Sequence, residues 1–134
     1  MATHREDILT NASPAAVWAA IRDIGALHTR LVPGFVVDTR LEPGARLVTF
    51  GNGLVVREII VTIDETARRL VWTAEGGRTT HYNASAQVVD EKFHTRVIWQ
   101  SDFLPDAMAG EIGAAMKAGA AVMKKTLDEL AEFR

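Results

Sequence analysis

Three side chains in this 134-residue sequence combine the types that orient or protonate the polar end of a small molecule: Arg46, Glu58 and Tyr82, the single tyrosine. A carboxyl and a phenol can act as general acid and base when both lie within hydrogen-bond reach of the reacting atoms. A guanidinium beside them matters because buried charges persist only when paired. Whether Arg46 meets Glu58 depends on the register of the hairpin ARLVTFGNGLVVREII. A two-residue turn at Asn52-Gly53, the form that dipeptide favours, pairs Phe50 with Val55 and sets Arg46 on one face with Arg57. A three-residue loop from Gly51 to Gly53 instead pairs Phe50 with Leu54, Val48 with Val56 and Arg46 with Glu58. The opposite-charge cross-strand pair favours the second register. It leaves two readings of that pair open: polar groups orienting a mostly apolar ligand, or an exposed salt bridge of little energetic weight.

Other chemistries find less support. There is no cysteine, hence no thiolate nucleophile, disulfide or thiolate metal site, as is usual for a cytosolic chain. His4 reads as part of the N-terminal tail, His81 and His94 as outward-facing or at strand starts, and His28 as part of a short helix. No pair of histidines has metal-binding spacing, and neither a nucleophile elbow nor a phosphate-cradling glycine loop is present. GNG and EGG fall in hairpin loops and read as turn glycines. Fifteen basic and 17 acidic residues leave a net charge of −2 without charge runs, so nucleic acid and anionic membranes are not expected partners. The N-terminus lacks the apolar core of a signal peptide, and no apolar run is long enough to span a membrane. The expectation is one cytoplasmic domain over residues 1–134, with no metal or cofactor.

The elements that would position these groups follow from periodicity. A strand near residues 5–10 precedes a helix capped by Ser13, with Pro14 at its start and Val17, Trp18 and Ile21 on its apolar face. Trp18 reads as core. Gly25 should end this helix, and ALHTRLV should form a second short one before Pro33-Gly34. Six β-branched or aromatic segments from residue 35 to about 103 are divided by EPG, GNG, DETA, EGGR and DEKF, which predicts a meander of antiparallel strands. A long helix follows Pro105. Met108, Ile112, Met116, Gly119, Met123, Leu127 and Leu130 make its continuous apolar face; Glu111, Lys117, Lys125, Asp128 and Glu132 make the solvated one. The order predicts an α+β fold in which a seven-stranded curved antiparallel sheet wraps around the long C-terminal helix, with two short helices after the first strand.

ASPAAVWAAIRDIGAL, EPGARLVTFGNGLVVREIIVTID, RRLVWTA, YNASAQV, VIWQSDF and the terminal helix together resemble the START-like, or helix-grip, superfamily, in particular its bacterial branch related to polyketide cyclases and dehydrases. The resemblance covers nearly the whole chain. It implies an apolar ligand such as a lipid, sterol, hormone or polyketide held between the long helix and the sheet, and in some members a reaction. It also implies that the acidic position at Glu58 is interior and that the short second helix bearing His28 borders the cavity mouth.

Strand period assigns the cavity wall. Thr95, Val97, Trp99, Ser101 and Phe103 share the inner face of the last strand, Tyr82, Ala84, Ala86 and Val88 that of the strand before it, and Leu70, Trp72 and Ala74 that of another. The expected ligand-binding residues are Arg46, Val48, Phe50, Val56, Glu58, Trp72, Tyr82, Ala84, Val97, Trp99, Ser101, Met108, Ile112 and Met116, with Glu58 and Tyr82 as catalytic candidates. Gly110, Gly113 and Gly119 each cost the helix about 1 kcal/mol relative to alanine. Either they leave room for a ligand beside adaptable methionines, or they let neighbours pack closely. Three functions fit: a carrier of a small apolar molecule, a cyclase- or dehydratase-type enzyme using Glu58, or an interaction protein whose cavity is filled by side chains. The apolar positions Ile59, Val61 and Ile63 would be covered by the N-terminal helices or by a second copy, so a homodimer is compatible with the pattern without being required.

Overall fold

The computed structural model describes residues 1–132, and the side chain of Glu132 lies outside the described residues. Strand β1 (Ala2–Thr10) alternates in exposure, with His4, Glu6, Ile8 and Thr10 on the less exposed face. It begins earlier than the strand expected near residues 5–10, so His4 belongs to the sheet rather than to a tail. Ser13 then caps helix α1 (Pro14–Arg22), its Oγ accepting from the Ala16 N–H at 3.2 Å. Pro14 occupies the first helical position, where its missing N–H is no loss. Trp18 is buried, and its indole donates to Glu65 at 3.1 Å.

The helix stops at Arg22, ahead of Gly25, which lies in a 3-10 turn (Ile24–Ala26) running into a π-type turn (Leu27–Leu31). The second short helix is therefore present as a 3-10 turn followed by a single π-type turn. Glycine serves there as a point of close approach, since a Cβ at position 25 would fall 3.0 Å from the Leu41 side chain.

The meander comprises β2 (Val36–Glu42), β3 (Ala45–Phe50), β4 (Val55–Asp64), β5 (Arg69–Glu75), β6 (His81–Asp90) and β7 (Thr95–Leu104). With β1 it makes one seven-stranded antiparallel sheet in the order β1-β7-β6-β5-β4-β3-β2. The register skips a residue between Val36 and Asp38 and again between Ile60 and Thr62. Such bulges bend a strand and increase its twist, which helps the sheet curl. Strand β4 is interior to the sheet, and Val61 and Ile63 remain 56% and 38% exposed, uncovered by the N-terminal helical segments.

Helix α2 (Ala109–Glu132) follows a 3-10 turn at Asp106–Met108. Met116, Ala120, Met123 and Leu127 are buried along one stripe, while Glu111, Lys117 and Lys125 stay exposed. The stripe lies along β1. Its C-terminal half joins Ile8, Val88 and Val97 in the core. This is the helix-grip arrangement. No helix among the described residues is long and apolar enough to cross a membrane.

The glycines of α2 have separate explanations. A Cβ on Gly113 would sit 3.1 Å from His4 Nδ1, and one on Gly119 would sit 2.9 Å from Phe35 Cε2 and 3.1 Å from Trp99 Cη2. Close packing accounts for both. Gly110 would meet nothing within 4 Å.

Candidate functional site

The loop between β3 and β4 decides where the charged pair goes. Phe50 N donates to the Leu54 carbonyl at 2.8 Å, closing a three-residue loop at Gly51–Gly53, and Gly53 takes a φ of 91° that suits glycine. Val48 thereby lies opposite Val56 and Arg46 opposite Glu58. Arg46 Nε donates to Glu58 Oε1 at 2.8 Å, with the two side chains only 3% and 9% exposed. Arg46 also donates to the Ile24 carbonyl at 3.3 Å, and its guanidinium carbon lies 5.6 Å from the centre of the Trp72 ring. An ion pair this buried contributes little net stability, because desolvation offsets its attraction.

The pair borders a cavity of about 390 Å³ between the first turns of α2 and the half of the sheet that curls away from it. Arg46, Phe50, Val56, Glu58, Trp72, Tyr82, Trp99, Met108, Ile112 and Met116 all line it. Were that space closed and dry, a cost near 24 cal/mol per Å³ would amount to about 9 kcal/mol, comparable with the whole stability of an ordinary domain. A space of this size is tolerable when water or a ligand can enter it. Exposed wall residues from two hairpin loops mark the entrance: Asn52 and Leu54 on one, Gly76, Gly77 and Arg78 on the other. Arg78 spans from its loop to Glu111 in the first turn of α2 at 2.9 Å.

Four residues expected on the wall are not part of it. Val48, Ala84, Val97 and Ser101 face inward but are covered by other side chains, and Ser101 Oγ donates to Met116 Sδ at 3.0 Å. Alternation assigns a whole strand face, whereas free wall exists only where α2 stands off the sheet. His28 also lies outside the wall, its ring 3.0 Å from Thr39 Oγ1. The sequence reading left out Phe35, Leu27, Leu31, Val32 and the Gly76–Thr79 loop, all of which border the cavity. Irregular turns have no period to expose them, and the glycine pair in EGGR carried only a turn signal.

The wall is apolar with few polar groups. Tyr82 is half-buried, and desolvation, reinforced by the charge of Glu58, pushes its hydroxyl up to about 12, with the neighbouring Ser101 hydroxyl opposing the shift. It is therefore a proton donor in hydrogen bonds at neutral pH and not a base. Trp72 Nε1 and Trp99 Nε1 are buried without an acceptor among the described residues. A buried donor left unpaired costs about 1–3 kcal/mol.

The sequence matches, over residues 1–132, the family model described as polyketide cyclase / dehydrase and lipid transport. The chain belongs to that family. Its solved likenesses agree in fold. A protein of Thermobifida fusca, determined in solution, is 30% identical at a TM-score of 0.77, covering 99% of this chain and 95% of its own. A START superfamily protein from Mycobacterium smegmatis is 12% identical at a TM-score of 0.72, covering 98% and 97%. The Zhui aromatase/cyclase from Streptomyces sp. R1128 is 12% identical at 0.76, covering 99% and 94%. No curated protein matches the chain in sequence.

Proposed function

We propose that this family member binds a small, largely apolar or aromatic molecule, lipid- or polyketide-like, in the cavity between α2 and the sheet. The observation that carries this reading is the cavity itself, about 390 Å³ walled by aromatic and methionine side chains around one buried Arg46–Glu58 pair. Ligand sites commonly have this size and this mixture of apolar surface with a few placed polar groups. Arg46, Glu58 and Tyr82 would orient the ligand's polar end, and the unbranched methionines would adapt to its body. A filled-interior interaction protein fits this much open space less well.

Native mass spectrometry of protein purified from its own host, compared with the same sample after denaturation and solvent extraction, tests the reading. A released apolar molecule of defined mass is the expected result. Protein that flies free of ligand and binds no fatty acid, sterol or aromatic polyketide from a panel would refute it.

A second reading, a cyclase- or dehydratase-type enzyme, is favoured by one specific observation: the Tyr82 phenol and the Glu58 carboxyl line the same cavity. In that case Tyr82 would hydrogen-bond a substrate carbonyl while Glu58 exchanged the proton beside it. The family description and the aromatase/cyclase among the structural likenesses are in keeping with this chemistry. Glu58→Gln should then keep binding and lose conversion.

A further inference from the structure

Among the described residues, Trp18 alone of the three tryptophans has an acceptor for its indole N–H. The other two orphaned donors both belong to cavity-wall residues, Trp72 and Trp99. Folded proteins pair the large majority of buried polar groups, so two orphans on one wall call for a reason. Among the described residues the fold supplies no acceptor. Trp72 on β5 pairs across to Ala84 of β6, and Trp99 on β7 pairs across to Ala86 of the same strand, so the two indoles flank β6 over alanines that carry only a methyl group. The nearby carboxylate of Glu58 is already held by Arg46, whose guanidinium lies over the Trp72 ring.

We propose that Trp72 and Trp99 are specificity-determining residues, whose indole N–H groups select an aromatic ligand bearing an accepting oxygen, such as a ring ketone, over a hydrocarbon of the same shape. The proposal rests on the binding reading above. Both N–H groups are shielded by neighbouring side chains. A ligand oxygen therefore reaches them only as those side chains shift, and a wall that includes Met108, Met116 and Met123 is well suited to such adjustment. The selectivity has a physical origin: a carbonyl relieves a buried unpaired donor, whereas a hydrocarbon leaves it unpaired.

Fluorene and 9-fluorenone differ by one carbonyl oxygen on one ring frame and are suitable probes. Each is titrated into the 15N-labelled wild-type protein while the three indole N–H resonances are followed, with Trp72→Phe and Trp99→Phe spectra used only for assignment. The expected result is about tenfold tighter binding of fluorenone, with a downfield shift of the Trp72 or Trp99 indole proton that fluorene does not cause. The Trp18 signal is the internal reference, since its donor is already bonded to Glu65. Equal affinities overturn the proposal and leave the binding reading standing. A fluorenone preference without the selective indole shift also overturns it, assigning the selectivity to another group. Failure of both probes to bind overturns the proposal as well, since an aromatic ketone of this frame is then not admitted, while the binding reading is decided by the native mass spectrometry and the ligand panel.

Discussion

Replacing the buried ion pair in a thermodynamic cycle separates stability from function. Arg46→Met leaves the Glu58 carboxylate buried without its partner, and Glu58→Leu does the same to the Arg46 guanidinium. With the two side chains 3% and 9% exposed and 2.8 Å apart, each single change should cost about 3–5 kcal/mol. Water entering the adjacent cavity would relieve the remaining charge and hold the loss to the lower part of that range. For a domain of this size the melting temperature should fall by on the order of 10–20 °C. The double variant removes both charges and retains apolar bulk, so it should recover to within about 1 kcal/mol of the parent or exceed it by 1–4 kcal/mol. Urea unfolding followed by circular dichroism gives all four corners of the cycle. A stable double variant that no longer recognises ligand would place the pair's role in binding. If the double variant instead loses the sum of the two single losses, the two groups are energetically uncoupled and the reasoning fails.

Because Tyr82 is the only tyrosine, absorbance at 295 nm during an alkaline titration reports on it alone. Its folded-state pKa is raised from 10.0 to about 12, so its contribution to stability is complete below pH 10 and is lost as the pH rises toward 12. Glu58→Gln should move the midpoint back toward 10 without reaching it, because burial is the larger cause; an unchanged midpoint would exclude the carboxylate's influence. Among the glycines, Gly110→Ala meets nothing within 4 Å and should stabilise by about 0.5–1 kcal/mol. Gly119→Ala has the same propensity gain but presses on Phe35 and Trp99, so it should gain less or lose stability and weaken ligand binding as those rings are pushed into the cavity. Equal gains at both positions, measured by urea unfolding, would refute the close-packing account.

Local chemistry was enough to determine much of this protein. The Ser13-Pro14 helix start, the turn-divided meander, the apolar stripe of α2 and the opposite charges that pick the Arg46–Glu58 register are all short-range, and periods of two and 3.6 carry them. The inner faces of β5, β6 and β7 followed from the same alternation, as did the placement of Trp72, Tyr82 and Trp99. What tertiary structure alone decided was which inward residues are wall and which are packed. Val48, Ala84, Val97 and Ser101 share faces with true wall residues, and only the line along which α2 leaves the sheet distinguishes them. His4 reached the underside of Gly113 because β1 extends further than its composition signals, and Phe35, expected to open a strand, reached Gly119 from the turn just before β2. Those contacts join residues more than 80 positions apart, and no pattern within a single segment encodes a distance of that kind.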